Sequence, residues 1–334
     1  MPRILPLAVL FLLLGCAGPR LSPGPAPDAA PCWPGPPEPA RIRFVRSISG
    51  AADLGIREGW LRRLAGEPDD RRLERPCAVA VDAAGRLFVA DQGGALFLFD
   101  AAGGHARRQP QGPEGALVSP VALLIDGDSL LVADSALRAV YLFDRELNPA
   151  RVLCRGLARP AGLAADPAGG FLVADAGANR VLRLDRTGRE RPWTAPDSLQ
   201  ARLNTPTHLC ARDGRIVVTD SYNCRLVLLD EAGAQRGAIG QAGTSPGTFA
   251  RPKGLALDGR GNLFIADALF GNVQVFDPQG RLLLFFGQTG AGPPGDFNLP
   301  TGLAIDGQDR LYVADTWNGR VQIFQILANA ETQP

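Results

Sequence analysis

Six aspartates recur along the chain at nearly even spacing: Asp91, Asp134, Asp175, Asp220, Asp267 and Asp315, at intervals of 43, 41, 45, 47 and 48 residues. Six carboxylates brought to one ring could hold a divalent cation, since hard cations take oxygen ligands. The competing chemistry is local. An aspartate at a strand end accepts hydrogen bonds from the amides of the turn that follows it. A repeat copied six times copies its turn chemistry too, so the local role is the stronger reading. In three copies an arginine stands five residues further on, giving Asp175/Arg180, Asp220/Arg225 and Asp315/Arg320. A guanidinium fork matches a carboxylate, so these read first as structural ion pairs. Ala139 and Asn272 replace the arginine in two other copies, which speaks against an obligatory catalytic set.

Only two histidines are present, His105 and His208. Zinc sites and imidazole acid–base chemistry usually draw on several. His208 stands where other copies have Gly162, Gly254 and Gly302, near the inner mouth of the array. No G-x-S-x-G sequence and no Cys–His arrangement offers a nucleophile. Cys16, Cys32, Cys77, Cys154, Cys210 and Cys224 have no metal-site spacing. Cys210 and Cys224 share one copy and could pair in an oxidising compartment; buried free thiols are an equal alternative for Cys77, Cys154 and Cys210.

The elements that position these residues are short strands. The run before each closing aspartate reads LFVA, LLVA, FLVA, IVVT, LFIA or LYVA. Such runs are apolar on both faces, as strands packed between two sheets must be. Their last residues, Ala90, Ala133, Ala174, Thr219, Ala266 and Ala314, stay small, which fits a radial array that crowds toward its axis. A second marker opens the preceding strand: Pro76, Pro120, Pro160, Pro206, Pro252 and Pro300, at intervals of 44, 40, 46, 46 and 48 residues. A third strand follows the aspartate, and a more variable fourth is clearest in Arg281 to Phe286. Four strands with a period in the forties predict an all-β, six-bladed β-propeller. After Phe324 too little chain remains for a fourth strand, whereas Arg41 to Ile48 looks like one. The N-terminal strand is therefore expected to close the last blade beside Val321 to Phe324, removing the open edges. Gly55 to Gly66 reads as a short capping helix with Trp60, Leu61 and Leu64 on one face.

The 334 residues carry 35 basic and 34 acidic side chains, a net charge of +1. That balance gives no general attraction for nucleic acid, which is not expected as a partner. The N-terminus carries one arginine and then an apolar core from Ile4 to Leu14, too short to span a bilayer comfortably. It leads into Leu13-Leu14-Gly15-Cys16, which resembles a bacterial lipoprotein signal. That resemblance implies removal of residues 1–15, a lipid on Cys16 and an exported, membrane-anchored protein. Ala17 after the cysteine favours the outer membrane in a Gram-negative host. Nine prolines between Ala17 and Ala40 make residues 16–40 an extended linker that should not join a sheet.

Arg251 to Asp258 with Asn262 to Asp267, and again Leu299 to Phe324, resemble NHL repeats, and the likeness extends over about residues 41 to 325. The family implies a six-bladed propeller over residues 41–326, followed by a short tail at 327–334. Its members mostly bind proteins, peptides, RNA or glycans on the face carrying the fourth-to-first and second-to-third loops. On that face the expected contact residues are His208, Tyr222, Lys253, Phe270, Trp317, Arg225 and Arg320. The aromatic members matter because loop side chains should be polar unless covered or used. The resulting reading is a monomeric, non-catalytic module for a protein, peptide or glycan, with no cofactor. The alternative is a metal-dependent hydrolase of the gluconolactonase-like propellers, which would need a divalent cation near Asn179, Asn223 and Asn318. No glutamate is placed to complete that set. Amidating lyases built on NHL-type propellers use a histidine-rich zinc site that two histidines do not supply.

Overall fold

The computed structural model describes residues 30–56, 71–194 and 203–327. Pro31–Pro334 cluster as one compact unit, and Met1–Ala30 are grouped separately. Cys16, the signal segment, most of the linker, the expected helix at Gly55 to Gly66 and nearly all of the tail lie outside the described residues. The described part is built of six antiparallel blade sheets, two small two-stranded sheets and short 3-10 turns.

Five blades follow one plan of four consecutive strands. Blade one comprises Pro76–Val81, Leu87–Asp91, Ala95–Asp100 and His105–Gln109. Blades two to five open with Pro120–Asp126, Pro160–Ala165, Pro206–Arg212 and Pro252–Leu257, and blade six with Pro300–Ile305. Each first strand touches the first strands of both neighbouring blades, and the ring closes where Pro300–Ile305 meets Pro76–Val81. The fourth strands that the sequence leaves hard to place in blades one and two are His105–Gln109 and Pro149–Arg155.

The two-sided apolar runs divide as their period requires. Leu87 and Val89 pack into the core shared with blade six, while Phe88 and Ala90 pack into the core shared with blade two. Six such cores lie between successive blades. The small residues before the aspartates are all fully buried.

Closure takes the expected form. Ile42–Ile48 pairs antiparallel with Arg320–Ile326, from Ile42 opposite Ile326 to Ile48 opposite Val321, with one bulge between Phe44 and Arg46. One feature differs from the linker reading. Cys32 and Trp33 pair with Arg43 and Ile42 as a fifth strand of blade six, so the end of the proline-rich stretch belongs to the fold. Prolines exclude a central strand but tolerate an edge one. Trp33 anchors it, with ring centroids 5.5 Å from Phe286 and 5.8 Å from Phe324.

Candidate functional site: the axial funnel and its rim

The two sequence markers face each other. Each opening proline sits opposite the closing aspartate of its own blade, from Pro76 opposite Asp91 to Pro300 opposite Asp315. The aspartates do more than hold the turn after them. Asp267 accepts from Leu269 and Phe270 behind it, and also from Ala250 and Arg251, the two residues before Pro252. Asp91, Asp134 and Asp175 likewise hold the pair of amides that precedes their proline. Asp220 and Asp315 each hold one, from Asn204 and Asn298. All six are buried, and each clamps the fourth-to-first loop onto the second-to-third loop. Among the described residues, no three His, Cys, Asp or Glu side chains are placed to hold a metal ion.

The residue after each proline turns toward the axis. Cys77, Val121, Ala161, Thr207, Lys253 and Thr301 together line a funnel of about 290 Å³. One register further along, neighbouring first strands come so close at Gly162, Gly254 and Gly302 that no side chain fits there. A Cβ at Gly254 would fall 1.8 Å from the Thr301 carbonyl oxygen, and one at Gly302 2.6 Å from that of Cys77. Blade four has His208 at this register. Its ring lines both the funnel and a neck of about 60 Å³ below it. Both imidazole nitrogens are sealed from solvent and neither has a hydrogen-bond partner. Burial, with the charge of Lys253 adding to it, pushes the imidazole pKa down to about 3, so the ring is neutral.

Lys253 has no hydrogen-bond or ion-pair partner among the described residues. Burial lowers its ammonium pKa, and repulsion from Arg251 and Arg159 lowers it further. Two funnel hydroxyls, those of Thr207 and Thr301, are already committed. Ser221 donates to the Pro252 carbonyl at 2.6 Å, so Thr207 donates to Ser221, also at 2.6 Å. Thr301 donates to the Cys77 carbonyl at 2.9 Å and accepts from Thr316 at 2.8 Å.

The rim is asymmetric. Two residues after the closing aspartate, blades one, two and three carry Gly93, Ala136 and Gly177. Blades four, five and six carry Tyr222, Leu269 and Trp317, which are 55%, 55% and 65% exposed. Phe270 is only half-buried beside them. Arg251 lies over the Tyr222 ring, 5.3 Å from its centroid, and donates to its hydroxyl at 3.0 Å.

The remaining expected contact residues stand elsewhere. Arg225 and Arg320 donate to Asp220 at 2.9 Å and Asp315 at 2.7 Å, and neither lines the funnel. Arg180 stands 3.6 Å from Asp175. Asn223 and Asn318 donate to those same aspartates, and Asn179 accepts from the Thr205 amide. His105 lies on the outermost strand of blade one, 3.7 Å from both Asp100 and Glu146. All five described cysteines are free thiols, Cys210 and Cys224 included. Arg159 lines the funnel and Arg251 lies over the lining residue Tyr222; neither is among the residues expected from the sequence. Their signal was their place directly before the repeated proline.

The fold and this site define a six-bladed propeller with a funnel at its loop face. The NHL repeat matches residues 157–184 and 297–324, in blades three and six. Over 115 residues the chain is 36% identical to mouse NHL-repeat-containing protein 4 and 35% identical to the human protein. Those matches cover 33% of this chain and 81% and 89% of the relatives. The chain belongs to the NHL-repeat family. Solved structures share its fold at low identity. A structural-genomics protein of Bacteroides thetaiotaomicron superposes with a TM-score of 0.64 at 15% identity, covering 85% of this chain and 75% of that one. An auxiliary nutrient binding protein of the same organism gives 0.61 at 15%, covering 77% and 70%. Virginiamycin B lyase of Staphylococcus aureus gives 0.57 at 13%, covering 86% and 100%.

Proposed function

We propose that this protein is a non-catalytic recognition module of the bacterial cell envelope, anchored by a lipid on Cys16, whose loop face captures a protein, peptide or glycan. The observation that carries the reading is the exposed apolar arc of Tyr222, Leu269 and Trp317 on three consecutive blades. Exposed aromatic side chains grouped around a concavity are what interface anchors look like. Loop positions with no packing duty would otherwise be polar. The nutrient-binding role in the name of a structural neighbour is compatible with this reading. The hydrolase alternative is weakened by the engagement of Asn223 and Asn318 with their own aspartates.

The deciding experiment immobilises the full chain in detergent and measures capture from envelope extract. The Tyr222→Ala, Leu269→Ala, Trp317→Ala triple variant should lose at least tenfold in capture while keeping its fold. Equal capture by the variant would sink the reading. For the anchor, Cys16→Ser should abolish incorporation of labelled fatty acid and release the protein from the membrane fraction. Unchanged lipid labelling would refute the assignment of Cys16.

A further inference from the structure

The floor of the funnel holds two groups that the rest of the fold leaves unanswered. Lys253 is half-buried with its ammonium open to the funnel and no acceptor among the described residues, and His208 is a neutral imidazole with no partner on either nitrogen. A buried polar group without a partner is costly, and a buried charge more so. Neither residue has a packing reason to be there. Other blades fill the same registers with Thr301, Ala161 and Gly302. The hydroxyls of Thr207 and Thr301 donate into the wall, which leaves the ammonium as the charged donor at the floor. The closing aspartates do not compensate the lysine, since none lies within ion-pair distance of it and each is held by backbone amides.

We propose that the funnel is a subsite for a monoanionic carboxylate, with Lys253 as its counter-ion. The inference rests on the binding-module reading of the same face and names the chemical class that enters it. Size and charge set the class. About 290 Å³ is near the lower end of ligand pockets, typically roughly 300–1,000 Å³, so one small acidic unit enters rather than a polymer. At the floor, one ammonium beside one neutral ring balances a single negative charge. A phosphate monoester carries about −1.5 to −2 at neutral pH and would leave charge unpaired. Arg159 stands exposed at the mouth, where solvent screens it. The carboxylate could belong to a peptide C-terminus or to a sugar acid, two sources with the same recognised group.

Titration calorimetry on the full-length protein in detergent tests this. The probes are N-acetylalanine and glucuronate, each beside its uncharged amide, with inorganic phosphate as the competing anion. At least one acid should bind ten or more times tighter than its amide, and the preferred acid distinguishes a chain terminus from a sugar acid. Lys253→Met should weaken that acid at least tenfold. In the unaltered protein the same acid should slow reductive methylation of Lys253, a readout that needs no variant to fold. Acid and amide binding alike, phosphate binding tighter than either acid, or Lys253 methylated at the same rate with and without acid would each overturn the proposal. The rim triple variant reports on the binding-module reading separately, because it leaves Lys253 and His208 in place.

Discussion

Arg251 lies across Tyr222, with its guanidinium 5.3 Å from the ring centroid and Nη2 3.0 Å from the phenolic oxygen. The contact joins blade five to blade four above the funnel, between residues 29 apart in sequence. It fixes an otherwise exposed aromatic plane at the edge of the site. Such a pair at an exposed position stabilises by about 0.5–1 kcal/mol. Tyr222→Ala should therefore shift the denaturant midpoint by no more than this, yet weaken partner capture several-fold. Tyr222→Phe, which loses only the hydroxyl, should retain most of the capture. A large stability loss with unchanged capture would assign the pair to the fold instead.

Asp267 makes a sharper prediction about architecture. Its buried carboxylate accepts from four backbone amides on two loops, and the register that carries an arginine in three other blades holds Asn272. Asp267→Ala would orphan those amides, at about 1–3 kcal/mol for each that stays buried and finds no water. A loss of about 3–5 kcal/mol is expected in equilibrium unfolding. Asp267→Asn keeps one good acceptor and should lose about half as much. If alanine costs less than about 1 kcal/mol, water replaces the carboxylate and the clamp is dispensable.

The frame of the molecule was legible because its markers are physical partners. Pro252 and Asp267 repeat together since the aspartate holds the two amides before the proline. The reading that tied each aspartate only to its following turn missed this half, because the contact spans 16 or 17 residues and no local rule reports it. His208 and Lys253 could be picked out as departures from the repeat. That both lack partners could not, since it depends on how closely neighbouring first strands approach. Arg159 and Arg251 escaped notice for a similar reason: their role lies in what they face across the ring. Cys32 and Trp33 were hidden by the prolines around them, which predict extended chain and do not reveal that one tryptophan packs.

Ring closure can be tested through that tryptophan. Trp33 is half-buried against Phe286 and Phe324, and the ring also abuts Gly295. Full burial of such a side chain makes truncation to alanine cost about 3–5 kcal/mol; partial burial should bring Trp33→Ala to about 2 kcal/mol. Phe324→Ala, at a fully buried site in the same cluster, should reach the full range. Limited proteolysis should then cut the Trp33 variant first between residues 31 and 41. Equal stability of the Trp33 variant and the unaltered protein would show that the fifth strand is an ornament of the edge rather than part of the closure.

His208 predicts a pH dependence with a definite sign. In the unfolded chain its pKa is near 6.5, and in the folded protein burial holds it at about 3. Between these values the unfolded state binds the proton and the folded state does not, so acid favours unfolding. The contribution is fully present above pH 6.5 and is lost as pH falls toward 3. Its upper bound, 3.5 pH units at about 1.36 kcal/mol each, is about 5 kcal/mol. Most carboxylates titrate below this window, and comparison with His208→Gln between pH 6.5 and 4.5 singles out this imidazole. Stability of the unaltered protein should fall by about 2–3 kcal/mol across it, the part of the bound that these two units represent. His208→Gln, which cannot take up the proton, should remove most of that slope. Parallel pH profiles for the two proteins would mean that the imidazole finds water or a partner when charged, and that the funnel floor is wetter than its sealed nitrogens indicate.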